Sequence, residues 1–96
     1  MTKNSGELKI LVIEDNPGDF MLIEDYLSEE HHALEIQRAE NFKIAKTILQ
    51  KTSDFDTVLL DLSLPDINNT ELLVKDILAF SNGTPVVVLT GYTNKD

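Results

Sequence analysis

The sequence predicts an α/β fold, a parallel sheet with helices on both faces. Three observations lead there. Short apolar runs at residues 8–13 (LKILVI), 57–62 (TVLLDL) and 85–90 (PVVVLT) have the length and polar borders of buried strands. Between them lie segments whose apolar residues recur at spacings of three and four, as on a helix with one buried stripe. Strand and helix then alternate as β-α-β-α-β-α-β, which makes a doubly wound parallel sheet with right-handed crossovers. The unbroken apolar character of residues 10–13, 58–60 and 86–89 fits strands covered on both sides.

Each element has its own signal. Residues 1–7 form a polar leader, and residues 8–96 are expected to be one domain, because 96 residues suit a single core. After the first strand, Asn16-Pro17-Gly18-Asp19 turns the chain, and Pro17 both favours an extended Asn16 and suits the first turn of a helix. Residues 19–30 are expected to be helical, with Phe20, Ile23 and Leu27 on one face. Residues 34–39 (LEIQRA) alternate as a second strand. Phe42, Ala45, Ile48 and Leu49 mark a second helix that ends near Lys51, and a loop at 52–56 leads to the third strand. Residues 65–69 form a loop and 71–80 a third helix, which Ser81-Asn82-Gly83 stops with a left-handed cap. The faces carrying Phe20, Ile48 and Ile77 are core faces. His31 and His32, after the first helix, read as solvated residues, and Tyr92 as a surface aromatic or a neighbour of the site.

Seventeen acidic residues against eight basic give a net charge of −9. That balance speaks against binding nucleic acid or an anionic membrane through this segment, since both need a cationic face. It fits a soluble chain that meets a cation or a basic partner. There is no cysteine, hence no disulfide framework, thiol nucleophile or Cys-based metal site, as suits a reducing compartment. The N-terminus lacks the apolar core of a signal peptide, and no apolar stretch approaches the roughly 18 residues of a membrane span. A cytoplasmic protein is expected.

The chemistry is expected where strands end in polar residues that have no place in a core. The first strand leads into Glu14 and Asp15, the third carries Asp61, and the fourth ends at Thr90. In a parallel α/β sheet these ends share one edge, where ligands bind near the switch in winding direction. Clustered carboxylates repel unless a cation joins them. Hard oxygen ligands suit Mg²⁺, which takes one or two carboxylates and keeps several waters.

The strings ILVIEDNPGD, DFDTVLLDLSLPD and PVVVLTGY resemble the response-regulator receiver domain of two-component signalling, from about Leu8 to the last residue. The motif set is an acidic pair after the first strand, an Asp on the third, a Pro four residues on, and Thr with a small neighbour after the fourth. The resemblance implies a flavodoxin-like fold with strand order 2-1-3-4, the fifth strand and last helices lying beyond the sequence given. It implies that a sensor histidine kinase or a histidine phosphotransfer protein donates a phosphoryl group. Asp61 matches the phosphoacceptor and Asp15 the direct ligand of Mg²⁺ or Mn²⁺. Glu14 would act through metal-bound water, and the backbone carbonyl of Ser63 would complete the metal site. Thr90 matches the switch hydroxyl that turns to the phosphoryl oxygen, and Gly91 the small neighbour that leaves the acceptor accessible. Pro65 shapes the loop after the acceptor. Asn69 stands where the family has Gly, and its tolerance of positive φ would preserve the turn.

The family's conserved Lys follows the fifth strand, past the point where this sequence ends, and Lys95 stands too near Thr90 to replace it. The resemblance therefore implies a domain cut short, whose fourth strand is an edge through which copies self-associate. Alternative functions are a non-phosphorylated receiver-like adaptor, or a phosphatase that forms an aspartyl-phosphate. The phosphatase would carry a second Asp two residues after the nucleophile, where this sequence has Ser63. A nucleotide-binding module would need a Gly-rich turn where EDNPGD supplies acids.

Overall fold

A computed structural model describes residues 8–30, 33–52, 54–62, 64 and 66–89. Its elements are β1 (Leu8–Ile13), α1 (Pro17–Glu30), β2 (Leu34–Ala39), α2 (Phe42–Lys51), β3 (Thr57–Asp61), α3 (Thr70–Ser81) and β4 (Val86–Leu89). The four strands form one parallel sheet in the order β2-β1-β3-β4. This is the α/β architecture and strand order expected.

Strand alternation divides the core between two faces. On one face Leu11, Ile13, Ala39, Val58 and Leu60 join Ala45 and Leu49 of α2 and Leu73 and Ile77 of α3 in a single buried cluster. Phe55 and Leu64 close its two ends, and both are buried. Ile10 and Val12, also buried, alternate with that set and lie on the opposite face. There α1 borders a groove of about 360 Å³ lined by Leu22, Ile23, Tyr26, Leu27, Leu59 and Leu89, together with Asp19. The periodicity of α1 predicts a buried stripe, but the helix has no fully buried residue. Phe20, Ile23 and Leu27 are half-buried, while Met21, Leu22 and Tyr26 are exposed.

Helix limits follow from capping. α1 begins at Pro17, earlier than expected, because Asn16 caps it: its Oδ1 accepts from Asp19 N at 2.9 Å and its carbonyl from Phe20 N at 2.9 Å. Asn41 Oδ1 caps α2 by accepting from Ile44 N at 2.8 Å. α3 stops at Asn82, whose φ of 53° is the left-handed cap foreseen. β4 begins one residue after Pro85, which has no N–H for the ladder, although its carbonyl accepts from Val58 N at 2.9 Å.

At the amino end of the sheet Lys9 pairs with Asp54 at 3.0 Å. The Asp54 carboxyl lies below its ordinary value, chiefly because the Thr52 hydroxyl donates to it and then because of Lys9. Among the described residues no helix is long and apolar enough to cross a membrane.

Candidate functional site

β1 is flanked by β2 on one side and β3 on the other, so winding reverses between β1 and β3. The carboxyl ends of those two strands therefore border the crevice at which such sheets bind ligands. Ile13 stands opposite Leu60 in the register, which brings the residues that follow, Glu14 and Asp61, level with each other. Ile13 and Leu60 both point into the α2/α3 cluster, so alternation sends Glu14 and Asp61 to the α1 side.

The result is a cluster of acids. Glu14, Asp15 and Asp61 each offer a carboxylate oxygen within 4.8 Å of the other two. Glu14 is 1% exposed and Asp61 3%, whereas Asp15 reaches solvent. The Glu14 carboxylate accepts from Asn16 N at 3.1 Å, and Glu14 N donates to the Ala39 carbonyl at 2.9 Å, continuing the β1–β2 ladder by one residue. Carboxylates so close and so little hydrated repel strongly. A divalent cation relieves that repulsion, and an all-oxygen donor set with one solvent-facing member fits Mg²⁺ or Mn²⁺.

Two further side chains hold the loops around the cluster. Arg38, from β2, donates through Nε to the Glu14 carbonyl at 3.0 Å and through Nη2 to the Asp15 carbonyl at 2.9 Å. Its guanidinium lies over the Phe20 ring of α1, 5.5 Å from the centroid. Asp66, in the loop after β3, accepts from Phe42 N at 3.1 Å and Lys43 N at 3.2 Å, at the N-terminus of α2. Sequence reasoning singled out neither residue. Arg38 left one trace, a lone cation in the alternating strand of an acidic chain.

Of the site residues expected from sequence, Glu14, Asp15 and Asp61 converge. Asn69 does not adopt the positive φ considered for it. Its φ is −139°, and its side chain accepts from Leu72 N at 3.0 Å as the N-cap of α3. A short Asn side chain that satisfies an orphan N–H at a helix start has no need of the left-handed region. Ser63, Pro65, Thr90 and Gly91 lie outside the described residues, as do His31, His32, Tyr92 and Lys95.

Known proteins of similar sequence and fold place the chain in a family. The transcriptional regulatory protein ResD of Bacillus subtilis is 29% identical over 86 residues, covering 90% of this chain and 34% of ResD. The chain thus spans about a third of the length of the curated relatives it matches. Among solved structures, the MaeR response regulator bound to beryllium trifluoride superposes with a TM-score of 0.75 at 26% identity, covering 92% of this chain and 70% of that one. The receiver domain of the sensor histidine kinase PA1611 from Pseudomonas aeruginosa, solved with a magnesium ion coordinated in its active-site cleft, has a TM-score of 0.71 at 20% identity. It covers 93% of this chain and 71% of that one, and at this identity it speaks for the fold. Residues 10–96 match the response regulator receiver domain, which is most of the sequence, and the chain belongs to that family.

Proposed function

We propose that this chain is the phospho-accepting receiver of a two-component phosphorelay, and that Asp61 takes the phosphoryl group. The observation that carries the reading is the placement of Asp61: almost fully buried, at the carboxyl end of a central strand, level with Glu14 and with the carboxylates of Glu14 and Asp15 close by. The donor is the phosphohistidine of a sensor histidine kinase or of a histidine phosphotransfer protein. An Asp61 oxygen attacks phosphorus as the P–N bond breaks, and the imidazole nitrogen keeps the electron pair and takes a proton. Asp15 and Asp61 would hold Mg²⁺ or Mn²⁺ and Glu14 would act through metal-bound water, with the Ser63 carbonyl assigned to the set by the family pattern. When bound, the metal offsets the repulsion between carboxylate and incoming phosphoryl group and stabilises transition-state charge. Thr90 is assigned the hydroxyl that answers the phosphoryl group, Gly91 the small neighbour, and Pro65 the loop.

The modified Asp61 would carry roughly two negative charges and three acceptor oxygens, enough to reorder adjacent loops. The receiver is a signalling module rather than a classical enzyme, and a cytoplasmic setting suits it. Incubation with acetyl phosphate and Mg²⁺, read by intact mass, should add one phosphoryl group to the chain and none to Asp61→Asn. Equal labelling of that variant would reject the assignment.

A further inference from the structure

We infer that Arg38 is a positioning residue of the metal site, fixing the main chain on both sides of Asp15 so that the acidic carboxylates converge on one cation. The inference rests on the Mg²⁺ reading above and extends it to a residue outside the acidic cluster.

The geometry is specific. The Glu14 carbonyl belongs to the peptide group before the Asp15 Cα, and the Asp15 carbonyl to the one after it. Arg38 Nε and Nη2 bond those two oxygens at 3.0 and 2.9 Å. Two adjacent peptide planes held by one rigid fork define φ and ψ of the residue between them, and so the direction of its Cα–Cβ bond. The Asp15 side chain thereby gains a fixed starting direction although it faces solvent.

The second peptide group is held at both ends. Its carbonyl accepts from Arg38, and its N–H, that of Asn16, donates to Glu14 Oε2 at 3.1 Å. One guanidinium thus orients Asp15 through its backbone and Glu14 through the amide that binds its carboxylate. Polarisation along such a chain strengthens each bond in it. Arg38 is itself braced. It projects from β2 just before Ala39, which pairs with Ile13, and it stacks on Phe20 of α1. The loop between β1 and α1 is therefore tied to the strand beside it and the helix after it.

Charge and positioning predict opposite effects on metal binding. As a mere cation beside an acidic site, Arg38 would oppose a second cation, and removing it would tighten Mg²⁺ binding. As a positioning residue, its removal loosens Asp15 and Glu14 and weakens binding. Partners that orient metal ligands typically change affinity by about tenfold or more when removed. Lysine keeps the charge but lacks the planar fork.

Calorimetric titration of the 96-residue chain with MgCl₂ tests this, alongside urea unfolding of each variant. Arg38→Lys and Arg38→Gln should each raise the Mg²⁺ dissociation constant by about tenfold. Saturating Mg²⁺ should restore most of the phosphorylation rate with acetyl phosphate, since the acceptor itself is intact. Unchanged or tighter Mg²⁺ binding in the folded variants would overturn the inference, as would wild-type affinity in Arg38→Lys alone. A lowered unfolding midpoint with an unchanged dissociation constant would reduce Arg38 to a structural role and overturn it equally. Failure of the unaltered chain to bind Mg²⁺ would instead overturn the metal reading itself, and this inference with it.

Discussion

Replacing Asp61 by Asn should stabilise the metal-free chain while removing its acceptor. The three carboxylates lie within 4.8 Å of one another, and Asp61 faces two of them. At that separation each pair of unit charges repels by about 1 kcal/mol in bulk water and about 3.5 kcal/mol at an effective dielectric constant of 20. The buried pair of Glu14 and Asp61 belongs nearer the upper figure, and the pair with solvated Asp15 nearer the lower. Relaxation and altered hydrogen bonding at Asn take back part of the gain, which leaves roughly 1–2 kcal/mol. For a domain of this size each kcal/mol moves Tm by roughly 4–8 °C. Mg²⁺ should stabilise the unaltered chain more than the variant. At ten times its dissociation constant it stabilises the native state by about 1.4 kcal/mol, and a variant that binds it weakly gains less. Urea unfolding followed by circular dichroism, in chelator and in Mg²⁺, measures all four quantities. Destabilisation of Asp61→Asn in chelator, or equal stabilisation of both proteins by Mg²⁺, would refute the electrostatic argument.

Three other outcomes are expected. Asp66→Ala should cost about 1 kcal/mol, because the Phe42 and Lys43 amides lose a charged acceptor while Asn41 still caps α2; an unchanged urea midpoint would mean that water replaces the carboxylate without loss. Ile77→Ala should cost about 2–5 kcal/mol, since Ile77 is wholly buried between α3 and the sheet, and a loss under 1 kcal/mol would show that the cavity collapses. The 96-residue chain should self-associate through β4, which is an edge strand among the described residues and whose Val87 and Val88 are exposed; a monodisperse monomer in light scattering at high concentration would contradict this.

The element order, the parallel sheet and the acidic cluster could be read from sequence because each rests on a local pattern. Unbroken apolar runs specify buried strands for β1 and β3, whereas β4, read the same way, has no buried residue because it has a neighbouring strand on one side only among the described residues. An acid at the end of a buried run has few places to go but the strand end. Arg38 and Asp66 could not be read in this way. Their partners are main-chain groups, two carbonyls for Arg38 and two amides for Asp66, and every residue has those. Only the fold says which of them lies within reach. Asn69 shows a related limit: its identity suits both a left-handed turn and a helix cap, and the chain's path into α3 decides for the cap. α1 shows the limit of periodicity, because a stripe at helical spacing describes a face without saying how completely it is covered.

Register is what turns these local signals into a site. Ala39, Ile13 and Leu60 all point into the α2/α3 cluster and are wholly buried. Their chain neighbours Arg38, Glu14 and Asp61 must then point to the other face, and the position of Arg38 over Phe20 of α1 agrees. A slip of β3 by one residue would drive Asp61 into the apolar cluster and bring Leu60 out beside Glu14. The apolar side of the sheet opposes that slip, because a carboxylate among Leu73, Ile77 and Leu49 would lack the partners burial demands. The residues with least chemistry therefore specify where the residues with most chemistry stand. Their effects should also be separable. Loss of core volume at Leu60 lowers the stability of the whole sheet while preserving the geometry of the acids in every molecule that remains folded. Loss of Arg38 should leave the register intact and disturb the turn that aims Asp15 and steadies the Glu14 carboxylate.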